Sequence, residues 1–246
     1  MSEDKPLARF KWNHQAALHR VLVKAANRCL KLVPLSVKYS YGRKMRAGKP
    51  PYSLIEGKTV VQIGAPSDTL SSGRARGMYF SLFAGPEAKV IVIEPIERSV
   101  NEFRKVLDKL GLTNTQVYHS AVWSEKKTLK IYSDPSHPAT NFTEGTVDYD
   151  EKRLQDYEIT ELEADTMDNI AAACGIDQID LISLTTNRAE EEILQGMPGL
   201  LAKGIPHICL AYGDPSVDYH ALMKTYGYVF MAHDDRGMIF EREATT

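Results

Sequence analysis

Two short apolar stretches decide the fold of this chain: Lys58-Thr-Val-Val-Gln-Ile-Gly64 and Lys89-Val-Ile-Val-Ile-Glu94. Each is rich in β-branched residues and ends at a glycine or an acid. Continuous apolar runs of this length are typical of strands that are buried on both faces of a parallel sheet. A helical pattern at about 74–84 lies between them. The region therefore predicts a strand–helix–strand unit with parallel strands.

The rest of the chain continues this alternation. Helices are predicted at 97–110, 165–174, 189–201 and 217–226. Further strands are predicted at 115–122, 179–184, 206–211, 228–232 and 238–241, with an edge strand at 128–132 and a polar surface loop over 133–160. The pattern predicts an α/β fold: a doubly wound, mostly parallel, Rossmann-like sheet of seven strands that ends in an antiparallel hairpin.

Charge divides the chain into two parts. Residues 1–50 contain twelve Lys or Arg and two acids, which gives +10, and residues 51–246 carry −12. Arg20, Lys24, Arg28 and Lys31 would form one basic stripe on a helix over 16–33. We expect a basic helical arm over 1–50 and one globular domain over 51–246. The arm has four possible roles: a solvated face packed on its own domain, or contact with an anionic membrane surface, an acidic protein or RNA.

Composition excludes several classes of protein. Hydrophobic residues make up 43% and charged residues 25% of the 246 residues, which is typical of a globular protein. No apolar run reaches the roughly 18–20 residues of a membrane span, and the acidic start, without an apolar segment of 7–15 residues, is not expected to act as a signal peptide. Cys29, Cys174 and Cys209 are too far apart for metal spacing or a disulfide framework. We expect a cytoplasmic location, with peripheral attachment to a membrane as one possible use of the arm, and no metal.

The ends of the first two strands point to a ligand site. Gly64 lets the backbone turn sharply and approach a ligand, and Glu94 can accept hydrogen bonds from the two hydroxyls of a ribose. Because the carboxyl ends of neighbouring parallel strands lie at one edge of the sheet, both residues would face one cleft. The alternative is that Gly64 only forms a turn and that Glu94 is only a solvated residue at the end of a strand, with no ligand between them.

Four segments resemble the FkbM-type methyltransferases: 58–95, Ser120-Ala-Val122, Asp165-Thr-Met-Asp168 and 179–196. The resemblance covers roughly 58–230. It implies a class I methyltransferase fold, S-adenosylmethionine as cofactor, and O-methylation of a sugar or another small-molecule hydroxyl. Residue by residue, it implies that Gly64 and Ala65 line the methionine side of the cofactor, that Glu94 holds the ribose, and that Ser120, Ala121 and Val122 lie near the adenine. Gln62 joins this set at a position where the family usually has Asp.

The chain departs from the family after the fourth strand. Ser183, Thr185, Asn187 and Arg188 replace the Lys, Asp, Glu and Gly of the family's Lys-x-Asp-x-Glu-Gly motif. The family's catalytic residues therefore do not transfer. We expect Thr185, Thr186 and Asn187 to orient the methyl acceptor by hydrogen bonds.

Other residues are then candidates for the base that an O-acceptor needs. His137 in the loop at 133–160 is the first candidate, His119 the second, and Asp214 after the strand at 206–211 is a further one. The altered motif also motivates another hypothesis, a methyltransferase-fold pseudoenzyme that serves as a structural or interaction subunit of a larger assembly. A nicotinamide-dependent dehydrogenase is disfavoured, because the Gly-x-Gly-x-x-Gly spacing is missing after the first strand.

Overall fold

The computed structural model describes residues 32–134, 141–146, 154–155, 157–211 and 217–243. Its helices are α1 (Leu35–Arg46), α2 (Ser67–Ser71), α3 (Arg76–Ala84), α4 (Glu97–Leu110), α5 (Met167–Ala173), α6 (Glu190–Gln195), α7 (Pro198–Lys203) and α8 (Tyr219–Thr225). Its strands are β1 (Thr59–Ile63), β2 (Lys89–Glu94), β3 (Thr115–His119), β4 (Ala121–Val122), β5 (Lys127–Ser133), β6 (Phe142–Thr143), β7 (Glu158–Asp165), β8 (Leu181–Leu184), β9 (His207–Ala211), β10 (Tyr228–His233) and β11 (Gly237–Arg242).

The main sheet has seven strands in the order β10-β11-β9-β8-β1-β2-β3. All neighbours are parallel except β11, which is antiparallel to both β9 and β10. In the centre, Val61 of β1 lies beside Ile91 of β2 and Ile182 of β8. This arrangement confirms the predicted doubly wound sheet with a C-terminal hairpin.

Alternation along each strand divides the core into two layers. Val61 and Ile63 face one layer, which also contains the apolar residues of α5, α6 and α7. Val60 and Val90 face the other, which contains those of α3 and α4. Both faces of the sheet are therefore covered, which explains why its strands read as continuous apolar runs.

Helix α4 has the bounds that the sequence predicts. Val100, Phe103, Val106 and Leu107 recur at helical spacing and are buried. Gly111 ends the helix with a left-handed φ of 65°.

A second, four-stranded sheet in the order β4-β7-β5-β6 corrects three predictions. The strand predicted at 115–122 divides at Ser120, and its end pairs with β7 in this second sheet. The predicted edge strand is instead β5, which lies between β7 and β6. The stretch 133–160 is not loop throughout, because it contains β6 and the start of β7. The sequence does not predict β7 as a strand because four of its eight residues are acidic, and acidic residues are depleted in strands.

The helix predicted at 189–201 is two helices, α6 and α7. Gly196 lies between them, where a side chain would collide with the backbone carbonyl of Trp123. Pro198 begins α7, and Asp168 caps it by accepting hydrogen bonds from the amides of Gly199 (2.7 Å) and Leu200 (2.9 Å). The last acid of the Asp165-Thr-Met-Asp168 motif thus has a structural role.

The compact unit that contains both sheets begins at Leu35 and includes α1. Tyr39 of α1 is buried and donates a hydrogen bond to the carbonyl of Leu70 at 3.1 Å. Arg46 forms an ion pair with Asp235. Most of the predicted helix at 16–33, with its basic stripe and Cys29, lies outside the described residues. In the part of the chain that the structure describes, no helix has the length and apolar character needed to span a membrane.

Candidate functional site

The turn after β1 requires a glycine at position 64. Gly64 has a φ of +85°, and a Cβ at this position would collide with the backbone carbonyl of Thr185. Its amide donates to the carbonyl of Ile93 at 2.9 Å, which holds the turn against the end of β2. The left-handed φ and the close approach to β8 therefore both exclude a side chain.

The buried carboxylate of Glu94 ends β2, and only 3% of this residue is exposed. One oxygen accepts a hydrogen bond from the amide of Ala65 at 2.5 Å, and the other accepts from the amide of Ile96 at 3.0 Å. Burial raises the pKa of Glu94 to about 7, although both backbone hydrogen bonds act to lower it. Since an ionised carboxylate has about four acceptor positions, this group retains capacity to bind ligand hydroxyls.

A cleft that we call the first cavity opens beside these two residues. Its volume is about 670 Å³, including the solvent space at its mouth. It is lined by Glu94, by Ser120–Val122 and by apolar side chains, among them Ile63, Leu129, Ile131, Phe142 and Ile193. The side-chain carbonyl oxygen of Asn141, also in the lining, is buried and has no hydrogen-bond partner among the described residues. The cavity therefore offers an apolar wall and an unused acceptor.

A second cavity, of about 740 Å³, is also lined by Gly64. Thr69, Arg76 and Arg236 contribute to its lining. The two cavities have five lining residues in common, which we call the shared wall: Gly64, Pro66, Thr185, Thr186 and Asn187. The three residues predicted to orient an acceptor are therefore placed between the cavities.

Hydrogen bonds hold the shared wall in place. The hydroxyl of Thr185 donates to the carbonyl of Gly64 at 2.7 Å. The amide nitrogen of Gln62 donates to Gly64 at 2.9 Å and to the hydroxyl of Thr185 at 2.7 Å. The side-chain amide of Asn187 donates to the carbonyl of Asn141 at 2.5 Å. The wall is thus tied both to the strand beneath it and to the rim of the first cavity.

Gln62, predicted among the cofactor-binding residues, lies outside the linings of both cavities. It is fully buried. Ser183 and Cys209 lie in the same row of the sheet. Burial raises the pKa of Cys209 to about 12, so its thiol stays protonated. Gln62, Ser183 and Cys209 therefore lie beneath the cavities and support the residues that line them.

A cation lies beside Ser183 although the lysine of the family motif is missing. Arg76 donates to the hydroxyl of Ser183 at 3.1 Å and forms an ion pair with Asp234. Both side chains of the pair are only 2% exposed. Arg188, where the family has glycine, has a left-handed φ of 69°, a conformation that favours glycine.

Glu190, the first residue of α6, is a further acid of the site. It is 1% exposed, accepts a hydrogen bond from the hydroxyl of Thr186 at 2.9 Å, and is within 3.4 Å of the hydroxyl of Tyr219. Burial raises its pKa, although these hydrogen bonds act to lower it. Sequence reasoning missed Glu190 because it is one of three consecutive glutamates, and only packing shows which one is buried.

The remaining candidates are placed as follows. Ala65 lines the second cavity rather than the first. His119 is exposed outside both linings, with Nε2 at 3.0 Å from the carbonyl oxygen of Pro95. His137 and Asp214 lie outside the described residues. Among the described residues, no three His, Cys, Asp or Glu side chains are grouped so as to hold a metal ion.

Comparisons with known proteins identify similar structures. No family model matches the chain, and no curated protein matches it. Among solved structures, it is similar to the methyltransferase FkbM from Methylobacillus flagellatus KT, with a TM-score of 0.49 and 14% identity. This match covers 75% of the present chain and 43% of the other, so the chain spans less than half of that protein.

Two further solved structures cover most of the chain. For a methyltransferase from Geobacter sulfurreducens the TM-score is 0.44 and the identity 15%, over 92% of this chain and 88% of that one. For a SAM dependent methyltransferase from Aquifex aeolicus the TM-score is 0.40 and the identity 15%, and the match covers 77% of this chain and 82% of that one. A methyltransferase FkbM is therefore among the structures that the chain resembles, as its sequence motifs predict.

Proposed function

We propose that this protein is an S-adenosylmethionine-dependent methyltransferase that acts on a small-molecule hydroxyl, such as that of a sugar. One observation carries the proposal: Gly64 and Glu94, at the ends of neighbouring parallel strands, line the same cavity. Nucleoside ligands of doubly wound sheets bind at this edge. The order of the seven strands and the similar solved structures support the same conclusion.

The residues of the first cavity fit such a cofactor. Glu94 would hold the two ribose hydroxyls with its free acceptor positions. Ala121 and Val122 give an apolar surface for the adenine, and the unused oxygen of Asn141 would accept from its amino group. The methionine part would lie beside Gly64, where a Cβ would collide with the carbonyl of Thr185 and displace the shared wall. When bound, S-adenosylmethionine supplies a methyl group on a positively charged sulfur.

The shared wall would bring the acceptor to the cofactor. Methyl transfer depends above all on close and aligned approach of two reactants. Because Thr185, Thr186 and Asn187 line both cavities, an acceptor in the second cavity would lie next to a ligand in the first. Their hydroxyl and amide groups would fix its orientation by hydrogen bonds.

Thr186 and Glu190 would remove the proton of an acceptor hydroxyl. The hydroxyl of Thr186 lies on the shared wall and already donates to Glu190 at 2.9 Å. An acceptor hydroxyl that donates to the oxygen of Thr186 would pass its proton there while Thr186 passes its own to the carboxylate. The raised pKa of Glu190 makes this carboxylate a stronger base near neutral pH.

The neutral residues of the altered motif favour a second candidate function. Ser183, Thr185 and Asn187 carry no charge where the family has three charged groups, so the chain would serve as a pseudoenzyme subunit of a larger assembly. That function predicts an absent or blocked cofactor pocket. The first cavity is open in the part of the chain that is described, which supports the enzyme.

Calorimetry with S-adenosylhomocysteine tests the proposal. We expect one site per chain with a dissociation constant below about 100 µM, that is, a binding free energy stronger than about −5 kcal/mol. Glu94→Ala should weaken binding, and Glu97→Ala, at an exposed acid near the same strand end, should leave it unchanged. Absence of binding at millimolar ligand would contradict the enzyme and favour the pseudoenzyme.

A further inference from the structure

We propose that the second cavity binds an anionic group of the acceptor, a carboxylate or a phosphate, through Arg236 and the amino end of α3. This inference rests on the proposed function, because it names the class of molecule that the methyltransferase would modify. An acceptor of this class carries its reactive hydroxyl at the shared wall and its anionic group near Arg236.

The first argument is the charge of the lining. Among its described residues, the second cavity is lined by two arginines, Arg76 and Arg236, and by no carboxylate. Arg76 is compensated by the buried Asp234. The second cavity therefore retains the positive charge of Arg236.

The second argument is that the acids next to Arg236 are already engaged. Asp234 pairs with Arg76, and Asp235 pairs with Arg46. Within the described residues Arg236 has no carboxylate within ion-pair distance, and one of its terminal nitrogens donates to the backbone carbonyl of Arg74 at 2.5 Å. This bond fixes the guanidinium at the edge of the cavity and leaves other donors for a ligand. A half-buried guanidinium without a counter-ion is a favourable partner for an anion.

The third argument is the position of α3. The helix has nine residues, and its first residues, Arg76 and Gly77, line the second cavity together with Ala75. No side chain caps its amino end. Its first amides therefore add to the positive potential of Arg236 at the same cavity. In addition, the Nε of Arg76 is buried without a hydrogen-bond partner among the described residues.

The experiment measures anion binding directly. Thermal unfolding of the full chain is followed with increasing inorganic phosphate and, separately, acetate, at constant ionic strength set with chloride. We expect a saturable rise in the unfolding temperature, since a ligand of the folded state stabilises it. Arg236→Gln should weaken the apparent affinity at least about tenfold. The matched control is Arg98→Gln, which removes the same charge from an exposed position at the same edge of the sheet, outside both linings.

Phosphate and acetate together distinguish a phosphorylated acceptor from one that carries a carboxylate. A response to phosphate alone assigns a phosphorylated acceptor, and an equal or stronger response to acetate assigns a carboxylate. No saturable response, or the same loss in Arg98→Gln, overturns the proposal. If Arg236→Gln lowers the unfolding temperature strongly without any ligand, the same titration is done with Arg236→Lys. This substitution keeps the positive charge and removes the planar guanidinium with its paired donors, so it should also weaken anion binding.

The same samples are titrated with S-adenosylhomocysteine. Binding of the nucleoside without anion binding overturns this inference and leaves the proposed function standing. Anion binding without nucleoside binding contradicts the proposed function and leaves the anion site standing. The two failures are thus distinguishable.

Discussion

The two cavities share a wall and differ in almost everything else. The first is lined mainly by apolar side chains around one buried carboxylate, Glu94. The second has a lining that is about half polar and includes two arginines. The first is built largely from the ends of strands, which any sequence with this fold must supply. The second depends on α3 and on Arg236 in the turn between β10 and β11. Strand ends therefore dominate the lining of the first cavity, whereas arginines from a helix and a turn give the second cavity its charge.

The largest effect should come from the buried ion pair next to the second cavity. Asp234→Asn places an amide against the guanidinium of Arg76 and leaves that charge uncompensated, which should cost about 3–5 kcal/mol of unfolding free energy. Chemical denaturation measures the loss. Since Asp234 lines neither cavity, the first cavity should be separate from this ion pair, and the folded variant should bind S-adenosylhomocysteine with unchanged affinity. A parallel loss of binding would contradict this separation.

Gly64→Ala should act on the first cavity through the backbone. The added Cβ meets the carbonyl of Thr185 and also forces an L-residue into a left-handed φ, so we expect about 3 kcal/mol of destabilisation and at least a hundredfold weaker S-adenosylhomocysteine binding. Gly57→Ala is the matched control, because Gly57 has a φ of +68° with no atom within 4 Å of the added Cβ. Equal effects of the two substitutions would show that strain alone, without the close contact, explains the loss.

Glu190→Gln should affect turnover without affecting the cofactor. Removing the carboxylate that accepts from Thr186 should lower kcat about a hundredfold, or about 2.7 kcal/mol, with S-adenosylhomocysteine affinity unchanged. The neighbouring exposed acid Glu191, changed to Gln, is the control. A Glu190→Gln enzyme with normal kcat would exclude the proposed proton path.

The smallest effect is the pH dependence of the first cavity. With the pKa of Glu94 near 7, lowering the pH from 8 to 6 should weaken S-adenosylhomocysteine binding about tenfold, because the protonated group loses acceptor positions. The free energy of unfolding should change in the opposite direction and rise when the pH is lowered from 8 to 6. The folded state holds this proton more tightly than the unfolded chain, whose pKa is near 4.5, so the contribution of Glu94 falls by about 1 kcal/mol as the pH rises from 6 to 8.

The control for this prediction is Glu94→Gln, which has no group to titrate. Calorimetry and thermal unfolding at both pH values should show that the variant lacks both trends. If binding and stability of the wild type change in the same direction, Glu94 is not the group responsible.

The sequence predicts the main sheet because each of its strands is identified locally. β1, β2, β8 and β9 are apolar runs that end near a turn, and α4 has apolar residues at helical spacing and a terminal glycine. β7 is missed because its pairing with β5, and not its acidic composition, makes it a strand. The break between α6 and α7 depends on a close contact of Gly196 with Trp123, which no local pattern reports.

The candidate site divides in the same way. Gly64 and Glu94 follow from strand ends, and the structure places them in one cavity as predicted. Arg76, Arg236 and Glu190 are missed because their roles depend on partners elsewhere in the fold. Arg76 lies 158 residues from Asp234, and nothing in a local window relates them. The roles of His137, Asp214 and the basic stripe at 20–31 remain predictions, since the described residues do not include them.

The turn at 234–237 also bears on how the chain folds. Three consecutive residues connect it to distant segments: Asp234 to α3, Asp235 to α1 through Arg46, and Arg236 to the carbonyl of Arg74. These contacts span 158 to 189 residues, so their loops are costly to close and should form late. During synthesis, Arg46, Arg74 and Arg76 leave the ribosome long before their partners. The hairpin is therefore expected to complete the domain, and a chain that stops before β10 would leave Arg76 in the core without its counter-ion.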